Sequence, residues 1–187
     1  MPTKPEILKV TPVSESRLFQ VEALDLKFSN GVERRFERLA LRGHGAVMVV
    51  AIDADNNIQL IREYAAGLHD YVLTLPKGLI DAGETPLEAA NRELQEEVGF
   101  GARQMVLLKN LSSAPNYMGH SMNVILARDL YPSKLEGDEP EPLERVPWPF
   151  DDIEELIVRD DFSEGRAIAA LYLARHWLNQ ESEAAGS

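Results

Sequence analysis

The segment Gly78–Phe100, GLIDAGETPLEAANRELQEEVGF, constrains the fold of this chain more than any other. Its helix start is specified three times over. Thr85 is a capping residue, Pro86 suits the first helical position, and Glu88 completes a T-x-x-E capping box. Gly99 supplies the stop. The pattern predicts a helix over 86–98. Leu87, Ala90, Leu94 and Val98 fall on one stripe of that helix, which is expected to pack on a sheet. Glu93, Glu96 and Glu97 share another sector, spaced i, i+3, i+4.

Carboxylates this close repel. The helix carries Glu at 88, 93, 96 and 97 against the single Arg92. The acids also crowd its last turns, where the macrodipole disfavours negative charge. A solvated acidic face is the commoner meaning of such a cluster. The alternative is a bound cation, and hard carboxylate oxygens match Mg²⁺ or Mn²⁺.

The wider spacing decides between these. Gly78, five residues, Glu84, seven residues, Arg92-Glu93-Leu94, one residue, Glu96-Glu97, one residue, Gly99-Phe100 resembles the Nudix box at every defined position. At ordinary residue frequencies a chance match is on the order of 10⁻⁶ for one chain. The resemblance implies an α/β fold, an α/β/α sandwich around a mixed sheet, and a pyrophosphate hydrolase. It implies Glu93 and Glu97 as metal ligands, with Glu96 as a further ligand or an organiser of the attacking water. The backbone carbonyl of Lys77 would complete the metal site. Gly78 would let the backbone approach, Arg92 would brace the loop through Glu84, and Gly99 would end the helix.

The rest of the chain reads as strands with few helices, and no internal repeat stands out. Residues 17–28 alternate, Ser29-Asn30-Gly31 is a turn signal, and 32–41 follow as a second strand, an antiparallel hairpin. Gly43-His44-Gly45 breaks the pattern. Strands are expected at 46–53, 58–66, 71–75, 104–112 and 122–128, with a short one near Val146. Helical patterns lie at 151–158 and 163–179. Residues 132–144 form a Pro- and Glu-rich loop. The expected organisation is an N-terminal antiparallel β subdomain (1–43), a catalytic domain (44–180) and a flexible tail (181–187).

Charge and composition narrow the partners. The formal net charge of −12 argues against a general nucleic-acid binder. No apolar run approaches the length that spans a bilayer, and the N-terminus lacks a signal-peptide pattern. The absence of cysteine excludes disulfides and thiolate metal sites and suits a reducing cytoplasm.

Within the family, the segments LIREYAAG, PKGLIDAGET and LYPSKLEGDEPEPL resemble the ADP-ribose pyrophosphatase branch, and in it the ADP compounds hydrolases of the NudE type. That likeness implies ADP-ribose, NADH and diadenosine triphosphate as substrates, with AMP released. It places the general base and a further metal ligand in the loop 135–144, nominated as Glu139 and Glu141. Pro115 and Tyr117 stand at positions associated with substrate choice. Many relatives carry an Arg where Ala65 stands here, so Arg62 or Arg38 is the candidate for phosphate contact. Pro147-Trp148-Pro149-Phe150 reads as structural, its rings packing under the C-terminal helix. The N-terminal strands imply a homodimer, with Phe19, Phe28 or Phe36 as a platform for adenine. The rival readings are another Nudix chemistry, such as a nucleotide-sugar or CoA pyrophosphatase, a non-catalytic nucleotide-binding regulator, and an acidic interaction domain without metal.

Overall fold

The computed structural model describes residues 3–41 and 43–186. They form two compact units. The first takes the described residues up to 41 together with Ser112–Ser121. Its core is a three-stranded antiparallel sheet in the order β1 (Glu6–Glu15), β2 (Gln20–Lys27), β3 (Glu33–Leu39). Val10 pairs with Leu24, and Leu24 with Phe36. The β2–β3 turn closes with Gly31 at φ 81°.

The hairpin expected over 17–41 is present, but β1 was not anticipated. Pro12 interrupts it, and proline is tolerated only on an edge strand or at a bulge. Here β1 is the edge, with an irregularity between Pro12 and Ser14. The unit is also not one continuous run of chain. The tip 112–121 joins it through Leu39, whose N–H donates to the Tyr117 carbonyl at 2.8 Å.

The second unit has two sheets. A mixed one runs β7 (Lys77–Leu79), β4 (Ala46–Ala51), β9 (Ser121–Pro132), β8 (Phe100–Ser112). There β4 is parallel to β9 and antiparallel to β7. An antiparallel one runs β10 (Glu144–Pro149), β5 (Asn57–Ala65), β6 (Asp70–Thr74). Pro147 and Pro149 sit on the edge strand β10, where a missing N–H is tolerated.

The apolar run of β4 is explained by burial on both faces. Val47, Val49 and Ala51 pack with Ala89, Ala90 and Leu94 of the Glu-rich segment. Met48 and Val50 pack with Phe162, Ala167, Ala170 and Leu171. Those last three lie on α3 (Gly165–Ala185). Helix, sheet and helix thus form the α/β/α sandwich that the box implied. Phe150 lies in the α3-side core, as the structural reading of the Pro-Trp-Pro-Phe stretch required.

Three expectations are corrected. Leu87 is half-exposed and not part of the buried stripe; Ala89, small enough to lie flat on the sheet, takes that side. The 151–158 helix is a 3₁₀ turn, Phe150–Asp152, followed by the single turn α2, Ile153–Leu156. The C-terminal helix continues to Ala185, so residues 181–185 are helical, and Glu181 pairs with Arg128 at 2.8 Å. Polar composition suggested fraying, but an ion pair to β9 and continued backbone hydrogen bonding hold that end. Ser187 lies outside the described residues.

Candidate active site

The capping box forms as the sequence specifies: Glu88 N–H donates to Thr85 Oγ1 and Thr85 N–H to Glu88 Oε2. From Thr85 runs α1 (Pro86–Glu93), which passes into a π-helical turn over Leu94–Val98. Gly99 N–H donates to the Leu94 carbonyl at 3.1 Å, five residues back, and Gly99 itself is left-handed at φ 82°. Such π-turns mark functional sites, because the extra residue re-aims side chains at modest cost. No residue type in the segment signals it beyond Gly99. Glu93 and Glu97 end up 8% and 6% exposed, facing inward beside the apolar ridge of Ala90, Leu94 and Val98.

The edge strand β7 closes over these acids. A Cβ on Gly78 would collide with the Glu93 carboxylate, so only glycine lets the two meet. Lys77 N–H donates to Glu97 Oε2 at 2.9 Å. In an extended strand the N–H and C=O of one residue point the same way. The Lys77 carbonyl therefore also faces the Glu97 side, the side expected of it from the sequence.

Arg92 is the hub of the loop. Its guanidinium donates to Glu84 Oε1 (2.8 Å) and Oε2 (3.0 Å), to the Leu79 carbonyl (2.9 Å), to Glu93 Oε1 (2.7 Å) and to Glu96 Oε2 (3.0 Å). Glu84 also accepts from Asp81 N–H. The expected Arg92–Glu84 brace is present, and it is bidentate.

These residues border a cleft of about 630 Å³, whose walls include Glu63, Lys77, Glu93, Glu96, Glu97 and Glu139. Glu139 reaches it from the 133–143 loop, its carboxylate folded over Gly137 and close enough for its charge to act on Glu93. The loop is tied to the π-turn by a strap. Leu135 N–H donates to the Gln95 carbonyl (3.2 Å), Gln95 Nε2 to Ser133 Oγ (2.6 Å), Ser133 N–H to the Gly99 carbonyl (3.0 Å), and Lys134 Nζ to the Glu96 carbonyl.

Burial dominates the electrostatics. It pushes the Glu97 carboxyl up to about 9, against the pull of the Lys77 N–H. It raises Glu93 as well, despite Arg92. Glu84, by contrast, is held low by Arg92. Two buried acids that resist ionisation beside further carboxylates call for a cation, and an all-oxygen donor set of three Glu and a backbone carbonyl suits a hard divalent ion. Among the described residues no three acidic or histidine side chains yet converge at ligand spacing. Arg92 holds Glu93 and Glu96, and they would turn from it to meet an ion.

Other expected residues fall elsewhere. Glu141 does not line the acidic cleft; its carboxylate accepts from the Tyr71 hydroxyl, because alternate residues of a Pro-spaced loop face different ways. Arg62 is engaged by Glu144 (3.1 Å) and Asp161 (3.2 Å). Arg38 pairs with its cross-strand neighbour Glu22 at 2.6 Å. Pro115 and Tyr117 lie exposed on the tip that joins the first unit. Phe19 and Phe36 are half-exposed on that unit, and Phe28 packs against Phe36. Glu63, which pairs with Lys77 Nζ, was missed. Strand alternation from Ile61, which faces α1, could have found it.

Residues 5–38 match the NudE-type Nudix hydrolase N-terminal domain, and residues 42–171 match the NUDIX domain. The chain belongs to the Nudix hydrolase family, and is a pyrophosphohydrolase of its NudE type. It is 54% identical to the ADP compounds hydrolase NudE of Escherichia coli (strain K12), over 94% of each chain. It is 26% identical to the ADP-ribose pyrophosphatase of Bacillus subtilis (strain 168), over 89% of this chain and 93% of that one. A crystal structure of an ADP compounds hydrolase superposes with a TM-score of 0.91 at 52% identity, covering 97% of both chains.

Proposed function

We propose that this chain hydrolyses the pyrophosphate linkage of ADP-containing small molecules, among them ADP-ribose, NADH and diadenosine triphosphate, and releases AMP. One observation carries the reading: Glu93 and Glu97 are buried against the backbone of Lys77 and Gly78, where ionisation is costly without a dication. Glu93, Glu96, Glu97 and the Lys77 carbonyl would hold Mg²⁺, with Mn²⁺ as a substitute. A dication held there would neutralise the phosphate oxygens and lower the pKa of bound water.

The chain's own groups do the rest. Glu139 accepts the proton as a water oxygen attacks one phosphorus and the bridging P–O bond breaks toward the other phosphate. Arg92 and Glu84 fix the loop that leads into the acid-bearing helix. The 133–135 strap sets the distance of Glu139 from the π-turn. The half-exposed Ile7, Val10, Val13 and Phe36 of the three-stranded sheet support a homodimer. The described residues contain no helix long and apolar enough to cross a membrane. The lack of cysteine suits a reducing compartment such as the cytoplasm.

Hydrolysis of ADP-ribose, NADH and diadenosine triphosphate in H₂¹⁸O with Mg²⁺ tests this. The reading predicts AMP from all three, with the label fixing which phosphorus water attacks. Mg²⁺-independent turnover, or turnover of CoA or UDP-sugars in preference to these, would contradict it.

A further inference from the structure

Beside the acidic cleft lies a second one of about 380 Å³, and the two share Glu63, Glu139 and Pro140. Its volume falls within the ~300–1,000 Å³ range of small-molecule sites. Two tyrosines define it. Tyr64 on β5 and Tyr71 on β6 are direct cross-strand partners, so their side chains share one face of the sheet. Their ring centroids are 5.7 Å apart at 64°.

Both hydroxyls are already engaged. Tyr64 Oη lies 2.7 Å from His69 Nδ1, and Tyr71 donates to Glu141. His69 takes a left-handed backbone, φ 54°, in the β5–β6 turn that brings its ring to Tyr64. The rings are thus fixed in place, yet they stay 45% and 48% exposed. A pair that served only to join two strands would gain by burying those faces.

The lining also rules on ligand charge. Arg62, the cation on the wall, is held by Glu144 and Asp161. The remaining charged groups are Glu63, Glu139, Glu141 and Glu144, which repel phosphate. Pro140, Pro142 and Leu143 add apolar surface. The cleft therefore suits an uncharged planar ring and not a further anion. Glu139 and Pro140 stand on the walls of both clefts, so a substrate with its pyrophosphate in the acidic one would reach the tyrosines past that loop.

We infer that Tyr64 and Tyr71 form a stacking subsite for the second planar base of a two-base substrate, the base on the far side of the pyrophosphate from the AMP that is released. This rests on the pyrophosphatase reading above. It makes the tyrosines specificity-determining: they act on a dinucleotide and have nothing to stack in ADP-ribose beyond its single adenine.

The test is the ratio of kcat/KM for diadenosine triphosphate to kcat/KM for ADP-ribose, in wild type and in Tyr64→Ala, Tyr71→Ala, Tyr64→Phe and Tyr71→Phe. Loss of one stacking face predicts a fall of roughly 10- to 100-fold in that ratio for the alanine variants. The phenylalanine variants, which keep the ring, hold the ratio near wild type. ADP-ribose turnover in the same variants reports folding. An unchanged ratio overturns the inference, whether both substrates are unaffected or both fall together. Calorimetric binding of the same two compounds to Mg²⁺-free protein keeps the test separate from catalysis. Tighter binding of the two-base compound that is lost in Tyr71→Ala supports the subsite even without turnover, whereas equal binding of both overturns it. Absence of turnover on either compound by wild type with Mg²⁺ counts against the pyrophosphatase reading and not against the calorimetric result.

Discussion

The carboxylate of Glu93 fills the space in which a side chain on Gly78 would have to begin. This contact joins strand β7 to the Glu-rich helix at the point where the acids are buried. It explains a glycine at which no positive φ is recorded. Gly78→Ala must push Glu93 aside. The expected result is a rise of about 10- to 100-fold in the Mg²⁺ concentration for half-maximal activity, the scale for disturbing groups that orient ligands. Activity against Mg²⁺ concentration, with a melting curve to confirm folding, checks it.

Glu97→Gln keeps the shape of the side chain and can keep the Lys77 N–H contact, but it offers a poorer ligand to a hard dication. Turnover of ADP-ribose is expected to fall by about 10²-fold or more, comparable to losing one strong electrostatic contact to the transition state. The folded state should survive, since a neutral amide removes the cost of a buried charge. Steady-state kinetics and circular dichroism on the same sample separate the two effects.

The Glu97 carboxyl is raised from the ordinary 4.5 to about 9 by burial. Between those values the folded metal-free protein holds a proton that the unfolded chain has released. Its stability therefore falls as pH rises from about 4.5 to about 9. A dication replaces that proton, so stabilisation by Mg²⁺ grows across the same window. Melting temperatures in EDTA and in Mg²⁺ from pH 5 to 9 should diverge steadily. In Glu97→Gln the EDTA slope should flatten.

Lys134 ties the base-bearing loop to the Glu96 carbonyl. Lys134→Met should lower kcat by about 10-fold with KM little changed, as expected when a supporting contact is lost, and Lys134→Arg should restore most of it. A matched loss in Lys134→Arg would show that the length of the lysine, and not its charge, sets the loop.

How much of this was legible in sequence follows from the range of each cause. The capping box, the helix start and the Arg92–Glu84 brace are local, with partners at most eight residues apart, and the residue pattern carries them. Leu87 sits at the margin of the face that packs because the buried side also takes in Ala89, whose small side chain gives little hydrophobic signal on a wheel. The π-turn rests on backbone hydrogen bonds displaced by one residue, such as Gly99 N–H to the Leu94 carbonyl, and no residue type except Gly99 marks it. Glu63 with Lys77, and Tyr71 with Glu141, join residues 14 and 70 positions apart, the first pair across two sheets and the second from a strand to a loop, so only tertiary packing brings them together. Strand β1 was obscured by Pro12, and the joining of 112–121 to the first unit has no marker in composition at all.

The half-exposed Val10 and Phe36 predict the assembly. Val10→Asp combined with Phe36→Asp should convert a sedimenting dimer to a monomer, because charges would enter an apolar contact. Analytical ultracentrifugation checks it; a wild-type monomer would remove the homodimer from the account.

Glu93 and Glu97, buried together against β7, are proposed to hold a dication between them. Titration of metal-stripped protein with Mn²⁺, followed by electron paramagnetic resonance and by proton release near neutral pH, tests it most directly. Saturable binding with protons released is expected, weakened by at least about 10-fold in Glu97→Gln. Unchanged Mn²⁺ affinity and unchanged proton release in that variant would contradict it.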